Sequence, residues 1–295
     1  MAANTFARLP DTDAADALAT AAAQAYGAPS AACVVNAPGT QILLPLVSQL
    51  VPPGRAAIIA PTYGEFARTA ALAGHGVAEV RDLGEVGDAR LVFVAHPNNP
   101  DGRLFDKHDL IALGKVLRAR GGLLVVDEAY MDVDPAGQSL APDVALGSIV
   151  VLRSFGKFFG LAGLRLGFAL AAPPLAARIA ALLGPWAVSG PALVIGAAAL
   201  ADNAWIDRTQ KRLAQSAKKL DAILSAAGLD MIGGTSLFRL TGTPHASALF
   251  DHLGGAGILV RRFREHKDWL RFGLPPGTDA RRRLQTALAE FRRTG

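Results

Sequence analysis

The sequence predicts an α/β fold: a mostly parallel central sheet with helices on both faces, followed by a smaller C-terminal α+β domain. Over the first two thirds of the 295 residues, continuous apolar runs alternate with amphipathic segments. This alternation is typical of a sheet that is covered on both faces. The last ninety or so residues instead contain short strands between charged helices, which indicates a separate lobe.

The predicted large domain contains six apolar strands, and the first three lead directly into helices. A continuous apolar run bounded by Gly, Pro or Asn is typical of a buried strand, and a period near 3.6 is typical of a surface helix. The strands are ACVVNAP, AAIIAPTY, LVFVAHPNNP, GGLLVVDEAY, SIVVLRSF and LRLGFALA. The helices after the first three are GTQILLPLVSQL, GEFARTAALAG and DKHDLIALGKVLRAR.

The predicted small domain begins with one long charged helix, WIDRTQKRLAQSAKKLDAILSAAG. Three short strands follow, SLFRL, GILVRRF and WLRFGL, with a helix between the first two and another at the end. We therefore predict an N-terminal segment at residues 1–29, a large domain at 30–205 and a small domain at 206–295.

One uncharged segment, from Ile179 to Ala201, is long enough to cross a bilayer. Pro185 and Pro191 interrupt it, and alanine contributes little hydrophobicity. We interpret it as the end of one helix, a buried turn, and a second helix that starts after SGP.

Composition excludes several classes of protein. Half of the residues are apolar and 19% are charged, so the chain is globular rather than disordered. Its one cysteine, Cys33, allows no intramolecular disulfide, and no secretion signal is visible, so we predict a cytoplasmic protein. The net charge of +5 is mild, and the late basic residues are typical of a solvated helix face. We predict no nucleic-acid partner, no membrane span and no metal.

Polar side chains cluster where five predicted strands end. Ligand sites in parallel sheets lie beyond the carboxyl ends of the strands. Any one of these loops could be an ordinary turn, but five with complementary chemistry predict a binding site. The loops are NAPGTQ, PTYGE, HPNNPDG, DEAY and RSFGK.

The loop RSFGKFFGLAGLRLGF places Lys157 among phenylalanines and glycines, with Arg165 eight residues later. An ammonium buried in apolar company loses hydration unless a partner compensates or the amine becomes neutral, and a neutral amine is a nucleophile. The alternative is a Gly-rich turn whose lysine reaches solvent along its own stem.

Taken together, the motifs PGTQ, PTYGEFAR, HPNNPDGR, VVDEAYMDV and RSFGKFFGLAGLRLGFA resemble fold-type I pyridoxal-phosphate (PLP) enzymes of the class I/II aminotransferase group. Within that group they look most like the threonine-phosphate decarboxylases of cobalamin biosynthesis, with histidinol-phosphate aminotransferases as the nearest cousins. The resemblance covers most of the chain, from about Pro29 onward.

The resemblance implies roles for several residues. Lys157 would form the Schiff base with PLP, and Asp127 would keep the pyridine nitrogen protonated. Asn99 and Tyr130 would donate to the phenol oxygen. Lys157, Asp127 and Tyr130 are the expected catalytic residues.

The phosphate of PLP would lie at a helix start. The resemblance implies that Gly39 and Thr40 supply backbone N–H groups there, with Gln41 as a further candidate. Ser154 would supply a hydroxyl and Arg165 a bidentate cation. Tyr63 would stack on the ring face.

For the substrate, the resemblance makes Arg271, in DWLRFGLP, the residue that binds the α-carboxylate. Arg153, Arg261 and Arg262 are candidates for the substrate phosphate. Some residues of these motifs also allow a purely structural interpretation. Tyr63 could fill the core and Gln41 could cap its helix. We interpret His96 as a packing residue and Glu128 as a structural partner.

We therefore expect PLP-dependent decarboxylation of L-threonine O-3-phosphate to (R)-1-aminopropan-2-yl phosphate. The alternatives are a histidinol-phosphate-type aminotransferase, or a PLP-binding protein of weak activity. The last follows from the start of the chain, where MAANTFARLP stands in place of the extended Asn-Pro segment usual in the family and Leu9 stands where relatives have a tyrosine. The resemblance and the apolar 179–201 segment also imply a homodimer.

Overall fold

The computed structural model describes residues 4–133, 138–146 and 148–294. The chain divides into two compact units. The large unit contains Met1–Asn99 and Leu104–Ala204, and the small unit contains Pro100–Arg103 and Trp205–Gly295. The division into an N-terminal segment at 1–29, a large domain at 30–205 and a small domain at 206–295 stays a prediction.

The described part of the large unit contains a seven-stranded sheet in the order β1-β7-β6-β5-β4-β2-β3. The strands are Val34–Ala37 (β1), Arg55–Ile59 (β2), Gly76–Val80 (β3), Leu91–Ala95 (β4), Leu123–Asp127 (β5), Ile149–Ser154 (β6) and Gly167–Leu170 (β7).

The direction of the strands brings the predicted loops to one edge. β7 is antiparallel to both of its neighbours, β1 and β6, and the other pairs are parallel. The carboxyl ends of β1, β2, β4, β5 and β6 therefore lie at the same edge of the sheet, and β7 begins there. This mostly parallel sheet confirms the predicted fold class.

Helices cover both faces of this sheet. Leu43 and Phe66 pack with Phe93 and Val125 on one face. On the other face, a β-carbon at Gly114 would lie against Ile149 and Leu124. The helices are Asn4–Ala7 (α1), Thr12–Tyr26 (α2), Thr40–Ser48 (α3), Glu65–Leu72 (α4), Lys107–Ala119 (α5), Pro173–Leu183 (α6) and Gly190–Ala201 (α7).

The predicted break in the apolar 179–201 segment is confirmed, but the turn is exposed rather than buried, with Trp186 60% exposed. α6 ends at Leu183, and α7 begins at Gly190 with the Ser189 hydroxyl accepting the N–H of Ala192 at 3.4 Å. Among the described residues, none of the helices is both long enough and apolar enough to cross a membrane.

The small unit contains a four-stranded antiparallel sheet in the order β10-β11-β9-β8. Its core contains Leu224, Leu249, Leu270, Phe272 and Leu288. The strands are Asp230–Thr235 (β8), Phe238–Gly242 (β9), Arg261–Arg262 (β10) and Trp269–Gly273 (β11). The helices are Asn203–Ala226 (α8), Ala246–Gly255 (α9) and Gly277–Thr294 (α10).

Two strands, β3 and β8, were not predicted from the sequence. Both are edge strands, with the sequences GVAEV and DMIGGT. Neither contains a continuous apolar run, because an edge strand is only partly buried and its position depends on pairing with a neighbour.

Candidate cofactor site

The strand ends of the large unit surround a cavity of about 230 Å³ at the carboxyl edge of the sheet. Five loops reach it, one after each of β1, β2, β4, β5 and β6. All nine residues predicted to bind a cofactor line this cavity: Gly39, Thr40, Tyr63, Asn99, Asp127, Tyr130, Ser154, Lys157 and Arg165.

Asp127 is the last residue of β5 and supplies a carboxylate to the cavity. Its Oδ1 accepts a hydrogen bond from the N–H of Ala129 at 3.0 Å. Burial raises the pKa of Asp127 to about 6, although the Ala129 N–H and the charge of Lys157 oppose this rise. Because burial makes this carboxylate costly to ionise, a nearby cation such as a protonated pyridine nitrogen would stabilise its charged form.

Lys157 lies in the turn after β6, and its environment corrects the sequence interpretation. Phe155, Phe158 and Phe159 are buried, and the rings of Phe155 and Phe159 stack at 4.3 Å. Lys157 itself is exposed towards the cavity, with Nζ 5.5 Å from the centre of the Tyr130 ring. The expectation that the lysine is buried in apolar company is therefore wrong, because the aromatic side chains point into the core and the amine points out.

The part of the cavity formed by Gly39 and Arg165 suits an anion. Gly39 precedes α3, so the first N–H groups of that helix are directed towards the cavity. Arg165 adopts a left-handed conformation, with φ 55°, just before β7. Its Nη1 donates to the carbonyl oxygen of Ala162 at 3.0 Å, which holds the guanidinium beside Gly39.

The two asparagines after β4 have different environments. Asn98 is buried, accepts a hydrogen bond from the Thr62 hydroxyl at 2.8 Å, and donates to the carbonyl oxygen of Pro61 at 2.9 Å. These bonds join the loop after β4 to the loop after β2. Asn99, the next residue, lines the cavity.

Tyr63 and Gln41 are linked to each other. The Tyr63 hydroxyl donates to Oε1 of Gln41 at 3.1 Å, and Nε2 of Gln41 donates to Glu65 at 2.8 Å. Tyr63 is exposed rather than a core residue, and these contacts occupy the Gln41 amide outside the helix backbone. The capping interpretation of Gln41 and the core-filling interpretation of Tyr63 are therefore wrong.

Three neighbouring residues are buried in contacts with the rest of the protein and do not line the cavity. His96 is fully buried, with Nδ1 accepting the N–H of Phe105 at 3.2 Å and Nε2 at 3.2 Å from the carbonyl oxygen of Gln138. Glu128 is also fully buried and pairs with Arg153 at 2.8 Å. The interpretations of His96 and Glu128 as structural residues are confirmed. Arg153 is not a candidate for the substrate phosphate, because two carboxylates already hold it in the interior.

Arg271 lies on β11 in the small unit. Its guanidinium lies 5.0 Å from the centre of the Phe238 ring. In the strand pairing, residue Arg271 is directly opposite Arg261 of β10. Its role towards a substrate stays a prediction.

Sequence reasoning missed two glycines that shape the cavity. A β-carbon at Gly167 would approach the Thr40 nitrogen within 2.7 Å, and one at Gly156 would lie 3.0 Å from the α-carbon of Ala162. The signal was present in the sequence, since both glycines lie within the lysine motif, but a close backbone approach cannot be recognised without the partner strand.

Comparison with known proteins gives the family. The model of the family described as aminotransferase class I and II matches residues 1–287. A threonine-phosphate decarboxylase from Sinorhizobium sp is 43% identical over 96% of this chain and 85% of that protein. Another from Pseudomonas aeruginosa is 39% identical over 97% of this chain and 85% of that protein.

A solved structure supports the same grouping. Histidinol-phosphate aminotransferase from Sinorhizobium meliloti, in complex with pyridoxal-5'-phosphate, has a TM-score of 0.86 and 25% identity. The similarity covers 99% of this chain and 84% of that chain. The chain thus belongs to the class I and II aminotransferase family.

Proposed function

We propose that this chain binds PLP through Lys157 and catalyses the decarboxylation of L-threonine O-3-phosphate. The observation that carries the proposal is the set of side chains around the cavity, which supplies a partner for each polar group of PLP. The two threonine-phosphate decarboxylases at 43% and 39% identity support the choice of reaction.

The donor set fits the cofactor chemically. Lys157 offers an amine for the aldehyde, Asp127 an anion for the pyridine nitrogen, and Asn99 and Tyr130 polar groups for the phenol oxygen. Ser154, Arg165, Gly39 and Thr40 form the anion end, and Tyr63 would stack on the ring.

The backbone also fits a phosphate. Gly39 has φ 90°, and a β-carbon there would approach Nη2 of Arg165 within 2.8 Å. Together with Gly167, it leaves the start of α3 open to the cavity. Such a cradle of N–H groups beside a guanidinium is what a dianionic phosphate requires.

When bound, PLP supplies an electron sink for the bond that breaks at the substrate α-carbon. Asp127 would keep that sink effective, because its carboxylate can pair with a protonated pyridine nitrogen. Lys157 carries the amine that can hold and return a proton at the α-carbon. Arg271 binds the substrate carboxylate, which leaves as carbon dioxide and is replaced by a proton.

The substrate phosphate needs its own cation. Arg153 is buried in an ion-pair network, so the candidates from the sequence are Arg261 and Arg262. Arg261 is opposite Arg271 in the antiparallel pair of β10 and β11, so their side chains share one face of that sheet. An anion on this face would relieve the repulsion between two like charges, which favours Arg261.

We further propose that the active form is a homodimer. Three large apolar side chains between residues 179 and 201 are exposed, Leu182, Trp186 and Val194. Exposed apolar groups concentrated in one segment favour an interface. A place in cobalamin biosynthesis and a cytoplasmic location stay predictions.

One pair of assays tests the reaction. Threonine phosphate is offered alone, and histidinol phosphate is offered separately with 2-oxoglutarate. Carbon dioxide release from the first, without any oxo acid, supports the decarboxylase. Glutamate formation from the second, with no release from the first, would establish the aminotransferase alternative. A yellow protein that catalyses neither would be the weakly active PLP-binding protein.

A further inference from the structure

A buried ionic network lies on the face of the sheet opposite to the side chains of Asp127 and Ser154. Arg153 precedes Ser154 on β6, and Glu128 follows Asp127 at the end of β5. Because successive side chains of a strand point to opposite faces, Arg153 and Glu128 share the face that Asp127 and Ser154 do not use. The N–H of Glu128 donates to the carbonyl oxygen of Leu152 at 2.9 Å, so the two strand ends are still paired at this point.

Arg153 connects two carboxylates in this network. Its Nη1 donates to Glu128 at 2.8 Å and its Nη2 donates to Asp132 at 2.7 Å. Only 5% of the Arg153 side chain is exposed, and none of the Glu128 side chain is. Its guanidinium also lies 4.3 Å from the centre of the Tyr26 ring, which covers it from α2.

Glu128 extends the network to the next segment of the chain. Its Oε1 accepts the N–H of Leu140 at 2.7 Å, and its Oε2 accepts the Ser139 hydroxyl at 2.6 Å. The network therefore joins the ends of β5 and β6 to the residues that follow Asp127 and to the 138–146 segment.

A buried ion pair is a poor way to gain stability, since well-packed apolar residues of similar volume often do as well or better. Its advantage is geometric, because a planar guanidinium between two carboxylates fixes several strand ends at once. Burial alone would lower the pKa of Arg153, but Asp132 and Glu128 outweigh it and raise the pKa above its ordinary value. Arg153 thus stays charged.

We propose that Arg153 is a positioning residue: by bridging Glu128 and Asp132, it fixes where Asp127 and Ser154 present their polar groups to the cofactor. This inference rests on the proposed binding of PLP. It assigns a task to an arginine that does not line the cavity.

The test compares Arg153→Lys with the wild type as holoenzyme. Lysine keeps the charge but cannot bridge two carboxylates in a plane. We expect the dissociation constant for PLP to rise ~10-fold, the order seen when residues behind a ligand set are lost. We also expect the induced circular dichroism per bound PLP to fall, since the cofactor is held less rigidly. Glu128→Gln should act in the same direction.

The control is Arg239→Lys in the small unit. Arg239 makes a two-point pair with Asp221, at 2.5 and 3.0 Å, and it joins β9 to α8. This variant should lower the melting temperature without changing PLP affinity or the dichroism. If Arg153→Lys also lowers only the melting temperature, or if neither Arg153→Lys nor Glu128→Gln folds, the network is merely structural and the inference is overturned. A wild type that binds no PLP would instead overturn the proposed function.

Discussion

The guanidinium of Arg165 lies directly beside Gly39, so a side chain at residue 39 would have to displace it. A β-carbon on Gly39 would be 2.8 Å from Nη2 of Arg165. The φ of 90° at Gly39 is also in the region that side chains disfavour. The hydrogen bond from Nη1 of Arg165 to the carbonyl oxygen of Ala162 keeps the guanidinium beside Gly39 at the start of α3, where the phosphate of PLP is expected.

Replacing Gly39 with alanine should weaken PLP binding. The new methyl group strains the backbone by ~1–3 kcal/mol and displaces the guanidinium of Arg165. Spectroscopic titration of the cofactor-free protein with PLP measures the effect. Gly76→Ala is the matched control, because a β-carbon there meets nothing within 4 Å. Equal affinities in the two variants would contradict the assigned position of the phosphate.

Arg165→Ala should reduce retention of the cofactor rather than the rate of the bound form. Loss of a charge-assisted contact to phosphate costs about 2–4 kcal/mol of binding free energy if the pair is desolvated. Dialysis followed by measurement of bound PLP tests this, with the exposed Arg282→Ala as the control. Asp127→Asn should behave in the opposite way, keeping PLP but losing several orders of magnitude in kcat, because an unprotonated ring is a poor electron sink. The reverse pattern would refute both assignments.

Asp127 should also make the stability of the cofactor-free protein depend on pH. Burial raises its pKa to about 6, so the folded state binds this proton more tightly than the unfolded state, where the pKa is about 3.9. The stabilising contribution is present below the unfolded pKa and is lost as the pH rises through 6. Without PLP, Asp127→Asn should therefore be more stable than the wild type at pH 7.5, by ~1–3 kcal/mol.

The same difference in unfolding free energy should shrink at pH 5, where the wild-type carboxyl is mostly protonated. Urea unfolding at the two pH values measures it. A difference that is constant with pH, or one of opposite sign, would show that Asp127 is not destabilised by burial.

Lys157→Ala should abolish turnover and the yellow colour of the bound cofactor. The substitution removes both the covalent partner of PLP and the group expected to carry the proton. In the wild type, borohydride should bleach the colour and fix PLP to the peptide that contains Lys157. Lys115→Ala, at an exposed position of α5, is the control and should retain both properties. Fixation of PLP to any other lysine would exclude the proposed site.

The homodimer can be tested by sedimentation at micromolar concentration. Trp186 is 60% exposed in the loop between α6 and α7, and Trp186→Asp should shift the protein towards the monomer. An active, PLP-replete monomer of the wild type at this concentration would contradict the proposal.

The sequence by itself determined the fold class and the composition of the cavity. Apolar runs between amphipathic segments specify a sheet covered on both faces, and polar residues at the strand ends then have few other places to lie. For this reason Asp127 and Lys157 could be placed at one edge of the sheet before the structure was known, whereas the family resemblance was needed to assign Arg165 to the same site.

Only the tertiary structure decided the direction of individual side chains. Asp127 and Glu128 are adjacent and chemically alike, yet one faces the cavity and the other a buried arginine. The sequence suggested that Arg153 could bind the substrate phosphate and that Lys157 is buried. Both predictions were wrong, because proximity in sequence does not reveal which way a turn presents its side chains. The edge strands β3 and β8 depend on pairing with neighbours distant in sequence, and a local pattern cannot specify such pairing.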